Sequence, residues 1–411
     1  MLIRAQARRH LAAGVAVLAA VGILLAAAVP SDASAVRAAS EGEAPAVTTV
    51  PASLLRHIGM NEIQTINTHN SYKRETSLLE QATYDRLRND PAENYAVNIG
   101  YSHASLSAQL DDQNVRGLEL DLYGDPEGGL YAEPLVRKEL GLGALPDPAW
   151  RLPGIKTLHM PDVDYNTTCV AFADCLRQVQ AWSTANPTHV PIFIMLELKQ
   201  SSSYWVERGG AVAPAWDEAA VTGIDAAIRS VFDDSQMITP DDVRIAGKTL
   251  EQSVTTAGWP SLAAARGKVM FFFNNLGSTS AYSASAPNLE GRAAFVNAAP
   301  GEPNAAYRGR DEVDVLSPEI QDLVGRGYMV RTRSDISLST VREIGTQRVQ
   351  QSLDSGAQII STDFPVVGMS ARYGTDFVSR LPGKGPARCN PINAPRGCVD
   401  ALLEAPVDSR H

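Results

Sequence analysis

The chain has 411 residues, 44% hydrophobic and 20% charged, a composition that suits a globular protein with a substantial core and makes disorder the exception. A formal net charge of −10 offers no basic field to neutralise phosphates, which argues against nucleic-acid binding and against tight electrostatic adsorption to an anionic membrane. Length alone would allow two or three average domains, yet large barrels run as one unit.

The N-terminus reads as an export address. Arg4, Arg8 and Arg9 precede a nearly uncharged apolar run over residues 11–29, and Ala33-Ser34-Ala35 supplies small residues at the cleavage position. A signal peptide over 1–35, removed on secretion, is expected; the alternative is an uncleaved anchor, because the run is just long enough to span. Residues 36–53 lack periodicity and read as a flexible leader before a single domain over 54–411. Residues 62–68 alternate polar and apolar as a strand does and run into His69-Asn70-Ser71-Tyr72. A helix is expected over 106–115, after a polar excursion.

Gly117-Leu118-Glu119-Leu120-Asp121-Leu122-Tyr123 follows. A strand has period two, so Glu119 and Asp121 share one face and the three leucines the other. If the leucine face packs under helices, two like charges look inward, and a buried anion is costly unless paired. A hard divalent metal at the end of this strand resolves the conflict. An edge strand with a solvated acidic face is the alternative.

The Gly- and Pro-rich stretch 125–153 ends in a short strand over 155–159, terminated by His159. Helical spacing over 169–186 stops at Pro187, and 190–198 is the nearly continuous apolar run of a strand buried on both faces, with Glu197 and Lys199 at its far end. A helix over 216–232, a strand over 269–273, a surface loop over 276–310, a weak strand over 313–316, a strand over 328–333 carrying Arg331 and Arg333, a helix over 340–355 and a strand over 357–362 closed by Asp363 complete the pattern. Cys169 and Cys175 are near neighbours, as are Cys389 and Cys398, so Cys169–Cys175 and Cys389–Cys398 disulfides are the simplest of three pairings. No C-x-x-C spacing suggests a metal site. Tyr204 and Trp205 beside Lys199 read as loop packing or as a lipid-inserting pair, and Asn166-Thr167-Thr168 is a formal glycosylation sequon.

Strand–helix alternation with about eight strands predicts an α/β protein, a TIM-like (β/α)8 barrel. An open doubly wound sheet would want a Gly-rich turn after the first strand, and none is visible. In a barrel the C-terminal strand ends meet at one mouth. His69, Glu119, Asp121, His159, Glu197, Lys199, Arg331, Arg333 and Asp363 then become neighbours.

Thr68-His69-Asn70-Ser71-Tyr72, Glu119-Leu120-Asp121, His159, Leu196-Glu197-Leu198-Lys199 and Ser361-Thr362-Asp363-Phe364-Pro365 resemble the phosphatidylinositol-specific phospholipase C superfamily, most closely its secreted, calcium-dependent bacterial branch. The resemblance spans residues 58–380. It implies a barrel that cleaves phosphatidylinositol at a membrane or micelle surface, in transient contact with the lipid, to diacylglycerol and a cyclic inositol phosphate; a monomer is expected. It also implies Ca²⁺ held by Asn70, Glu119, Asp121 and Glu197, with His69 and His159 catalytic. His159 is then the general acid and His69 serves the phosphorane and base side, a ligand carboxylate being the other candidate base. Lys199, Arg331 and Arg333 are expected to bind substrate phosphate or inositol hydroxyls, and Asp363 to orient a histidine or bind inositol, on strand-end position more than on motif. Against these stand a Lys199 that merely neutralises Glu197 and arginines that form a solvated rim. Glycerophosphodiester phosphodiesterases share the Glu-x-Asp and Glu-x-Lys ends but place His-Arg-Gly where this chain has His69-Asn70-Ser71. A non-catalytic barrel binding lipid or sugar would be expected to have lost a histidine or a carboxylate. The acidic balance favours unphosphorylated phosphatidylinositol.

Overall fold

The computed structural model describes residues 49–256, 258–275, 279–336, 341 and 346–407. The expected signal peptide, and residues 36–48 of the expected leader, lie outside them. Val50 is buried and bridged to Val407, and a helix spans Ala52–His57.

Among the described residues ten strands form one sheet: β1 (Ile63–Thr68), β2 (Gly117–Tyr123), β3 (Lys156–Thr157), β4 (Ile192–Leu198), β5 (Val269–Phe273), β6 (Ala294–Val296), β7 (Tyr307–Gly309), β8 (Met329–Arg333), β9 (Ile359–Thr362) and β10 (Ala387–Cys389). Eight of them run parallel in the order β6-β5-β4-β2-β1-β9-β8-β7, and a parallel bridge from Asn297 to Tyr307 joins β7 to the end of β6. The sheet is therefore a nearly closed TIM-like barrel, not an open one.

Burial explains the strands. β2, β4 and β5 are covered on both faces, as a parallel sheet under helices requires. Leu118, Leu120 and Leu122 join Leu106 and Leu110 of the helix Leu106–Asp112 and Phe172, Leu176 and Val179 of the helix Phe172–Ala185 in one apolar cluster. The edge-strand reading of β2 falls, since it lies between β1 and β4. Both expected disulfides are present.

Three expectations need correction. The strand ending in His159 is not a barrel stave: β3 is two residues long and antiparallel to the last residues of β2, with Thr157 opposite Leu122. The loop expected over 276–310 contains β6 and β7, three residues each, too short to show periodicity. The weak strand at 313–316 opens the helix Val313–Gly325, whose buried Val313, Ile320 and Val324 recur at helical spacing while Pro318 masks the pattern. Within the described residues, the helix expected over 340–355 is seen as Gln347–Asp354.

The strand carrying the two acids begins at a tight approach. Gly117 pairs with Asn67 of β1, and a Cβ there would lie 1.7 Å from the Asn67 side chain. Gly117→Ala should destabilise the fold by about 1–3 kcal/mol in urea unfolding, and adding Asn67→Ala should recover most of the loss. An unchanged midpoint in the single variant would contradict this packing.

Candidate active site

β2 and β4 pair in a register that sets Asp121 directly beside Glu197, and Glu119 lies two residues back on the same face. One carboxylate oxygen from each of the three lies within 4.8 Å of the others. Glu119 and Asp121 are buried; among the described residues Glu119 Oε1 accepts no hydrogen bond, and the Asp121 oxygens have only Tyr72 and Lys199 beside them, neither in good hydrogen-bond geometry. Lys199 Nζ stands 3.2 Å from Asp121 and 3.1 Å from Glu197, and Arg331 donates to Glu119 at 2.9 Å and to Asp311 at 2.6 Å. Glu119, Asp121, Glu197 and Asp311 thus face Arg331 and Lys199, four acids against two bases, an excess of two negative charges. Burial pushes Glu119 well above the ordinary carboxylate range, with Asp121 and Glu197 adding to the push against Arg331. It raises Asp121 too, despite Lys199. At Glu197 burial also works upward and is the largest single effect, but Lys199, His69 and Arg331 together outweigh it and the group is held low. Hard oxygen donors, orphaned acceptors and this excess charge fit a hard divalent cation.

The loop after β1 is stitched to this strand. Ser71 Oγ accepts from the Glu119 N–H at 2.7 Å, and the Ser71 N–H donates to the Glu119 carbonyl at 3.1 Å. Asn70 adopts a positive φ of 49°, which asparagine tolerates, and its amide donates to Tyr101 while accepting from Tyr72. Burial, then Asp121, raises the Tyr72 phenol, so Tyr72 links Asn70 to the acidic face.

Each histidine is held through Nδ1. His69 Nδ1 is 2.7 Å from Asp363 and 3.1 Å from the Tyr101 hydroxyl, while its Nε2 lies 3.4 Å from both Glu119 and Arg333. Burial, with Arg333 beside it, lowers His69 to about 4 even though Asp363 pulls the other way. His159 Nδ1 is 2.8 Å from Asp164, which also accepts from Tyr95 at 2.5 Å and lies 3.3 Å from Lys73. A carboxylate on Nδ1 fixes the hydrogen there and leaves Nε2 for the substrate. β3 carries the chain across the top of β2, so His159 arrives from a cap over the mouth, facing Lys199 across a cavity of about 210 Å³ that Tyr123 and Trp205 help to line.

Lys199 does neutralise Glu197, and Asp121 as well. Arg331 and Arg333 form no solvated rim, being 2% and 8% exposed. Arg333 is held by Asp363 at 3.2 Å and by Asp335 at 3.4 Å, and burial lifts Asp335 to about 6. Trp205 is buried with its ring 5.5 Å from that of Tyr84, and the Tyr204 hydroxyl donates to the Leu87 carbonyl, so this pair packs its own loop. The Asn166 side chain donates to the Glu75 carbonyl. Asp164, Asp311, Asp335, Tyr95, Tyr101 and Lys73 escaped the sequence reading, and Tyr72 entered it only as part of the loop motif. Asp164, five residues after His159, Asp335, two after Arg333, and Lys73, four after His69, carried a proximity signal.

Comparison with known proteins bears on this geometry. Residues 58–391 match the family model for phosphoinositide phospholipase C, Ca²⁺-dependent. Among solved structures the chain is similar to a calcium-dependent phosphoinositol-specific phospholipase C from a Gram-negative Pseudomonas species, at 17% identity over 83% of this chain and 98% of that one, with a TM-score of 0.49. It is also similar to the Ca²⁺-dependent enzyme of Streptomyces antibioticus, at 18% identity over 75% and 95% with a TM-score of 0.46, and to the phosphatidylinositol-specific phospholipase C of Listeria monocytogenes, at 11% over 77% and 95% with a TM-score of 0.42. No curated protein matches the chain. Because the family model covers most of the sequence, the chain belongs to the Ca²⁺-dependent phosphoinositide phospholipase C family and is an enzyme of that class.

Proposed function

We propose that the enzyme cleaves phosphatidylinositol in a calcium-dependent reaction that yields diacylglycerol and a cyclic inositol phosphate. The observation that carries this reading is the pair of imidazoles, each clamped at Nδ1 by a buried carboxylate, one against Glu119 and the other near Asp121. Calcium bound by Asn70, Glu119, Asp121 and Glu197 would lower the pKa of the inositol 2-hydroxyl and offset charge on the phosphate.

His69, kept neutral by burial, accepts the 2-hydroxyl proton at Nε2 as that oxygen attacks phosphorus. The bond from phosphorus to the glycerol oxygen breaks with its electron pair on that oxygen, and His159 as imidazolium delivers the proton that completes diacylglycerol. His69 ends protonated and His159 neutral, and exchange with water resets both. Arg331 and Arg333, anchored by Asp311 and Asp363, present guanidinium edges to the phosphate or inositol hydroxyls, and Lys199 bridges Asp121 and Glu197 and offsets their repulsion. Each of these cations already has an acid partner, which supports the unphosphorylated headgroup. Exposed Leu78, Leu79, Leu142, Leu152 and Val212 lie on connections leaving the C-terminal ends of β1, β2 and β4, which supports contact with a lipid surface around the mouth. The basic and apolar N-terminus together with two disulfides supports secretion.

Phosphatidylinositol in micelles should release diacylglycerol and a cyclic phosphate with calcium, and neither product with chelator. Release of glycerol phosphate from glycerophosphodiesters instead would move the enzyme to the phosphodiesterase reaction.

Asp363→Asn should leave the fold intact and lower kcat by about 10²–10⁴, because the amide no longer fixes the His69 tautomer. A loss under threefold would remove His69 from the chemistry.

Calcium should raise the melting temperature of the wild type, by about 2.7 kcal/mol of stability at ~100 times its Kd, and should leave Asp121→Asn unmoved. The folded pKa values of Glu119 and Asp121 are raised, so what they contribute to the ion-free protein is present at low pH and is lost as pH rises through those values. Calcium relieves that loss, so its stabilisation should be larger at pH 7.5 than at pH 5. An equal shift in melting temperature at both would contradict the assignment.

A further inference from the structure

Lys73 is a buried cation that the reaction as derived does not use. It lies five residues beyond the end of β1. Its Nζ donates to the carbonyls of Ile99 at 2.7 Å and Tyr101 at 3.0 Å and lies 3.3 Å from Asp164 Oδ2. That oxygen is the one 2.8 Å from His159 Nδ1, while Tyr95 donates to the other oxygen of the same carboxylate. A cation kept away from water is costly, so a role in chain packing alone would be met more cheaply by an apolar side chain.

We propose that Lys73 is a positioning residue for the phospholipase reaction: by sharing the Asp164 oxygen with His159, it lets the imidazolium release its proton to the departing glycerol oxygen. The inference rests on the reading of His159 as general acid. With Lys73 present, the set Lys73, Asp164 and protonated His159 carries one excess positive charge, and proton delivery leaves a neutral pair. Without it, delivery would strand a buried carboxylate with no cation beside it, and His159 would hold its proton more tightly. Burial alone would raise Asp164, and Lys73 with His159 reverses this and holds it below the ordinary range. The other groups around His159 are Asp162 on its own loop, Asp121 and Tyr123 from β2, and Lys199 beyond β4. None of these makes an ion pair or hydrogen bond with the Asp164 carboxylate among the described residues, so Lys73 acts on the imidazole through a route they do not share.

Lys73 also lies 4.5 Å from the ring centroid of Tyr101, so a purely structural role has to be separated from this one. The test uses the full chain, with Lys73→Met and Lys73→Arg assayed on phosphatidylinositol and on a nitrophenyl ester of inositol phosphate, whose leaving group needs no proton. For Lys73→Met the alkaline limb of kcat should move up by about one pH unit or more, and kcat on the lipid should fall at least about tenfold with KM within about twofold. Activity on the nitrophenyl ester should stay within about threefold of wild type, and Lys73→Arg should keep the wild-type limb. An unmoved limb, or equal losses on both substrates, overturns the proposal. Should Lys73→Met fail to fold, Tyr95→Phe carries the same test: stripping the other Asp164 oxygen of its donor moves the limb upward by less, and an unmoved limb overturns the proposal. Wild-type protein that cleaves neither substrate removes the phospholipase reading itself, a result visible before any variant is made.

Discussion

The parallel register of β2 against β4 sets Asp121 beside Glu197, with Glu119 two residues away on the same inward face, and much of the mouth is arranged around that repulsion. Like charges side by side in a sheet are unfavourable, and here two of the three acids are out of water. Lys199 and Arg331 answer part of the charge, and Asp311 takes up the rest of Arg331. With all of these groups ionised, two negative charges remain unanswered, a cost to the ion-free fold that a bound divalent cation would offset.

Around this acidic centre the two histidines sit in unlike surroundings. His69 leaves β1 into a crowded interior, where Arg333 on one side and Asp363 on the other compete and burial decides in favour of the neutral form. His159 comes from a cap over the rim and has behind it an anion that Lys73 and Tyr95 also hold. In the proposed reaction these unlike surroundings suit the one imidazole to take a proton and the other to deliver one. Neither histidine needs to be a metal ligand, and the oxygen donors alone suit a hard cation.

What the sequence disclosed follows from where the physics is local. β2 was legible because alternation of leucine with acid has period two, and β4 and β5 because strands buried on both faces read as apolar runs. β6 and β7 were not, since three residues cannot show a period, and Pro318 hid the helix that follows. His69, Glu119, Asp121, Glu197 and Asp363 could be grouped because a barrel gathers strand ends. His159 reaches the same mouth by a two-residue antiparallel strand, so the grouping rule did not place it correctly. The partners behind the histidines are set by contacts across the chain: Lys73 meets Asp164 across 91 positions, and Arg331 meets Glu119 across 212. No local pattern announces such pairs.

The most direct test of the account is calorimetric titration of the ion-free protein with calcium near neutral pH, repeated in buffers of different ionisation enthalpy so that protons released on binding are counted. One calcium per chain is the predicted result, with proton release rising as the pH of the titration is lowered, because burial raises Glu119 and Asp121 and calcium favours their ionised forms. Absence of saturable binding at millimolar calcium, or binding that survives Asp121→Asn unchanged, would contradict the claim that the buried carboxylates form the metal site.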